Sequence, residues 1–131
     1  MKVRHSAAIY FAIQGVAVIA WWLVLYFVPS TRQHFVLERS SEASLMAFWP
    51  ADLSFLGIGS LAVGWLCYRG HEYTRLAAWF VTGAVSHATI YCLAFTLMTD
   101  SGWLGIVMMF PAMIWSGVFT VGLSFEKTMF R

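Results

Sequence analysis

Charge is what this chain has least of. Lys, Arg, Asp and Glu together make up 11% of 131 residues, against roughly 25% in an ordinary soluble domain. Hydrophobic residues make up 60%, and a chain this short has too much surface for its volume to hide that area from water. A water-soluble globular domain is therefore excluded, and the solvent to reason with is lipid. The formal charge of +2 comes without a basic stripe, which argues against nucleic acid. Two cysteines, Cys67 and Cys92, are too few for a disulfide framework. No H-x-x-x-H, C-x-x-C or H-E-x-x-H spacing supplies a metal site, and no G-x-S-x-G, P-loop or dinucleotide fingerprint is present. "GIGSLAVG" at 57–64 is glycine-rich, but it lies inside an apolar run and follows no strand. We therefore expect no catalytic residue, no metal and no cofactor, and a chain that is not catalytic on its own.

What is present is a set of long uncharged runs. Residues 7–28, 76–98 and 103–125 contain no Asp, Glu, Lys or Arg. Each is 22 or 23 residues long, and a bilayer-spanning helix needs about 20. A fourth run, 49–68, begins with "WPADLSF" and so carries Asp52 within about a turn of its end. Pro50 fits the first turn of a helix starting at Trp49; the alternative is a longer helix from near Ser41, kinked at Pro50. The first run is too long for the apolar part of a signal peptide, and no A-x-A-like site follows it. The expected fold is all-α: one domain, 1–131, an integral membrane four-helix bundle.

The connections set its topology. Residues 29–44 form a polar loop with room for a short interfacial helix, whereas "RGHEYTR" at 69–75 and "TDSG" at 99–102 are tight turns. Asp100 or Ser101 is the expected N-cap of the fourth span. Lys2, Arg4, Arg69, Arg75, Lys127 and Arg131 fall on one side, and only Arg32 and Arg39 on the other. Both termini should then face the cytoplasm. Tyr26, Trp49 and Trp103 mark the outer boundary, and Tyr10, Trp65, Tyr68 and Trp79 the inner one. The two cysteines differ in depth by roughly 20 Å at helical rise, too far for a disulfide.

Lipid tails are as apolar as leucine, so membrane helices associate through close backbone approach and hydrogen bonds. Small residues at four-residue spacing mark the expected contact faces. They are Ala112, Ser116, Thr120 and Ser124 on the fourth span, Ala84, Ala88 and Cys92 on the third, and Gly57, Ser60 and Gly64 on the second. Pro111 should bend the fourth span, with Met108, Met109 and Met113 beside it. Those thioethers either fill the gap at the bend or line an apolar ligand pocket.

Three polar side chains inside the runs are the candidates for function: Gln14, Asp52 and His87. Ionisable groups within a membrane are costly and commonly functional. His87 has several readings: an imidazole satisfied by a backbone carbonyl or by Ser116 or Thr120, a ligand contact, a proton relay or a metal ligand. Asp52 either favours the helix dipole in interfacial water or takes part in function. It reaches His87 only if the second span is the longer, kinked helix. Gln14 reads as interhelical glue, with His87 or a hydroxyl as its partner.

"IYFAIQGVAVIAWWLVLYFVP", "FWPADLSFLGIGSLAVGWL", "ATIYCLA" and "GWLGIVMMFPA" together resemble the N-terminal membrane extension of some bacterial isoprenylcysteine carboxyl methyltransferase-like proteins. The resemblance covers nearly the whole chain. It implies the membrane module without the transferase, because the catalytic region of that family, with its histidine- and proline-containing stretch and paired glutamates, has no counterpart here. The leading reading is a small protein of the bacterial inner membrane acting as a helper, scaffold or lipid- or isoprenoid-binding module. Its expected partners are membrane lipid and either a partner membrane protein or further copies of itself. The alternatives are the membrane component of a lipid- or isoprenylcysteine-directed methyltransferase, and a small transporter subunit.

Overall fold

A computed structural model describes residues 2–35 and 42–126 of the chain. Among the described residues four helices are long and apolar enough to cross a membrane, and there is no strand. The first helix, Lys2–Phe27, begins five residues before the uncharged run. The others are Trp49–Arg69, Thr74–Thr99 and Trp103–Phe125. Each span packs on two others, in the cyclic order first, second, third, fourth. Val3 of the first span lies against Gly122 of the fourth, which puts the described ends of the chain at the same end of the bundle. Arg39, Lys127 and Arg131, which enter the charge count, lie outside the described residues.

The ends of the helices follow from local chemistry. The last carbonyls of the first span have no helical donors of their own; Arg32, in a 3-10 turn over Pro29–His34, donates from Nε to Leu25 O at 2.6 Å and from Nη2 to Tyr26 O at 3.1 Å. The second span ends at Gly70, whose φ of 68° only glycine adopts without strain. His71 N–H then reaches Leu66 O at 3.1 Å, the closing bond of a Schellman cap.

The start of the second span is the shorter of the two alternatives. A short helix, Glu42–Met46, stops at a turn over residues 47–48, and a new helix starts at Trp49 with Pro50 in its first turn. From Asp52 to Ile58 the backbone is a π-helix, returning to α-helix over Gly59–Arg69. Such wider turns inside an α-helix add a residue and turn the following side chains to a new phase. One capping expectation is corrected. Asp100 and Ser101 do not cap the fourth span; its N-cap is Gly102, with no side-chain cap. Asp100 instead ends the third span at a φ of 49° and accepts from Trp103 Nε1 at 3.3 Å, while Ser101 Oγ pairs with Thr99 Oγ1 at 2.8 Å. A four-residue connection leaves no room for an extended N-cap, so the reversal is made by left-handed residues instead.

Small residues hold the first and second spans together. A Cβ placed on Gly15 would sit 2.8 Å from Gly57 O, and one on Gly64 would sit 3.0 Å from Ala8 O. These are backbone-to-backbone approaches of the kind that bind helices in lipid. Gly57 lies against Ile19 and Val18. Ala84, Ala88, Ala112, Met109 and Met113 are half-buried against a core of Phe11, Val63, Cys67, Val81, Val85 and Leu123.

Candidate functional site

The strongest concentration of polar chemistry inside the bundle is a node where all four spans meet. Gln14 is 8% exposed, on the inner face of the first span. Its Nε2 donates to Ser60 Oγ of the second span at 2.9 Å. Its Oε1 accepts from Ser116 Oγ of the fourth span at 2.9 Å and from Tyr10 OH, one turn earlier, at 2.5 Å. Tyr10 OH also lies 2.9 Å from Ala112 O and 3.2 Å from Ser116 Oγ. The phenol has one proton, so it serves either Gln14 or the Ala112 carbonyl at a given moment, and the Ser116 hydroxyl can turn to match.

The third span joins one turn further along. Thr82 Oγ1 pairs with Thr120 Oγ1 at 2.7 Å and lies 3.3 Å from Ser116 O; Thr120 Oγ1 lies 3.4 Å from Ala78 O. Ser60, Ser116 and Thr120 are almost wholly buried. The node consists of amide and hydroxyl groups throughout. Its groups answer one another's hydrogen-bonding needs in a medium that offers none, which is the use such residues have between membrane helices. Of its members, Gln14, Ser60, Ser116 and Thr120 are readable as interior polar positions in the sequence. Tyr10 is not: its place near a helix start suggested the inner aromatic belt, and the structure puts its ring on Phe119, 4.9 Å between centroids, with its hydroxyl in the node. Thr82 was missed because threonine in an apolar run gives no signal of its own.

His87 does not join the node. The structure turns it to the outside of the bundle, exposed, and among the described residues nothing hydrogen-bonds to it. Ser116 and Thr120, the hydroxyls expected to satisfy it, are engaged with Gln14, Tyr10 and Thr82. The physical reason is helical phase. Val81, Thr82, Val85 and Thr89 take the inward face of the third span, and His87 falls on the opposite side.

Asp52 is separate from both. It is half-buried, three residues into the second span, beside the indole of Trp22 and near Cys92. Trp22 is itself 7% exposed, and its Nε1 makes no aligned hydrogen bond, so the two groups are close without being paired in good geometry. Met109 takes an interior role: its Sδ lies 3.8 Å from Cys92 Sγ and its carbonyl 3.4 Å from Thr89 Oγ1. Met108 points outward. Both cysteines are free. Among the described residues no three His, Cys, Asp or Glu side chains gather as a metal site.

On the outer surface of the first span, Ala12, Ile13, Val16 and Ala17 line a shallow apolar groove of about 360 Å³, open to the surroundings. No family model, no curated protein and no solved structure matches this chain.

Proposed function

We propose that this chain is a non-catalytic module of the bacterial inner membrane that binds a lipid or isoprenoid chain along its first span, with both termini in the cytoplasm. The observation that carries this reading is the groove over Ala12, Ile13, Val16 and Ala17. Two alanines flanked by larger aliphatic side chains leave a trough in an otherwise bulky apolar surface, and a trough of that kind suits a hydrocarbon chain better than a polar ligand. The polar node supports a passive role, because its groups are engaged with one another. The likeness to the membrane extension of isoprenylcysteine methyltransferase-like proteins points the same way, toward a membrane module that presents a lipid to a separate catalytic chain.

Native mass spectrometry of protein released from the membrane in a mild detergent tests the proposal. A bound lipid of defined mass is expected on the native chain and lost from Val16→Trp and Ala17→Trp, both at exposed positions on the outer face of the first span. Adducts that are random in mass, or unchanged in both variants, overturn it.

A further inference from the structure

His87 stands fourteenth among the 26 residues of Thr74–Thr99, with thirteen before it and twelve after. At about 1.5 Å per residue it is roughly 20 Å from either end of the helix, too deep for its ring to reach an interface. It is also exposed on the outside of the bundle. Polar side chains at this depth are costly in hydrocarbon and almost always face other protein. Lipid tails offer it neither donor nor acceptor, and no described residue of its own chain does so.

The surface around it has the form of a helix-packing seam. Phe80, Gly83, His87, Ile90, Ala94 and Leu97 are all exposed, and they follow one another at alternating intervals of three and four residues, the spacing by which two helices wind together. Nothing lies within 4 Å of a Cβ built on Gly83, one turn from the imidazole, so a second backbone can come close there.

We propose that a second copy of this chain packs along this face about an approximate two-fold axis, with the His87 imidazole of one copy donating its N–H to the bare ring nitrogen of the other. The chemistry selects a copy rather than a foreign helix. A neutral imidazole carries one donor and one acceptor and is therefore complementary to itself. Two copies inserted with the same topology lie parallel, and a two-fold axis along the membrane normal brings each seam residue to the depth of its own counterpart. A foreign helix would have to supply a matching polar group at that one depth.

The test is disulfide trapping in native membranes, in a Cys67→Ala, Cys92→Ala background, joined to oligomer mass in mild detergent for the otherwise native chain. Single cysteines at Gly83, His87 and Ile90 should cross-link two copies on oxidation; a cysteine at Ala84 or Ala88, on the half-buried side, should not. The native chain should run as a dimer. His87→Leu, which suits lipid and touches nothing inside the bundle, should weaken the dimer by about 3- to 20-fold, the range measured for single hydrogen bonds between membrane helices. Gly83→Leu should weaken it independently by bulk. A monomer at every concentration, cross-links on the half-buried side, or a dimer unaffected by both substitutions each overturns the proposal. The lipid groove lies on another helix, so loss of the bound lipid leaves this result untouched.

Discussion

Gly15 and Gly57 meet so closely that a methyl group on the first would sit 2.8 Å from the carbonyl oxygen of the second. No side-chain rotation relieves a contact with backbone. Gly15→Ala should therefore force the first two spans apart and cost about 1–3 kcal/mol, the usual penalty for overpacking. Gly117→Ala, which has nothing within 4 Å, should cost nothing and gain up to about 1 kcal/mol, because alanine is the better helix former. Reversible unfolding in mixed micelles measures both. Equal effects of the two substitutions would remove close approach as the basis of this interface.

Removing Gln14 takes one hydrogen-bond partner from three residues at once, and leaves Ser60 with none in the node. Gln14→Leu takes the donor from Ser60 and the acceptor from Tyr10 and Ser116. We expect a loss of about 1–3 kcal/mol, as for a buried polar group deprived of its partner. A double-mutant cycle with Ser60→Ala should give a coupling near 0.6 kcal/mol, rising to about 1.7 if the bond is a strong one. Strict additivity would mean that the 2.9 Å contact contributes nothing.

The thiols should be quiet. Cys67 is fully buried and Cys92 half-buried, and both are free. Folded protein should resist a water-soluble maleimide at both positions, and a mild oxidant should form no disulfide within the chain. Labelling should appear only on unfolding. Rapid labelling of Cys67 in the folded protein would show that the inner end of the bundle is open.

Topology is tested by single cysteines at exposed connections. In a background free of native cysteines, Gln33→Cys and Asp100→Cys should be labelled from outside intact cells, and Glu72→Cys only after the membrane is opened. The reverse pattern would invert the orientation inferred from lysine and arginine.

The four spans were legible because length and absence of charge act locally: a run of about 20 apolar residues must satisfy its own backbone whatever surrounds it. The second-span glycines and Ser60 were legible too, since close packing in lipid needs small residues. Gly15 was not, because a single glycine carries no spacing pattern, and Tyr10 was not, because an aromatic near a helix end looks like an interfacial anchor.

By itself, the sequence determined the solvent, the number of helices and the short connections, for each depends on hydrophobicity and chain length alone. Only the tertiary structure decided which way the first and third helices face. Rotation about a helix axis is set by its neighbours, and in a run that is apolar all round, composition gives that rotation no preferred direction. That is why Gln14, in the same kind of apolar run as His87, ends in the hydrogen-bonded interior while His87 ends on the outside.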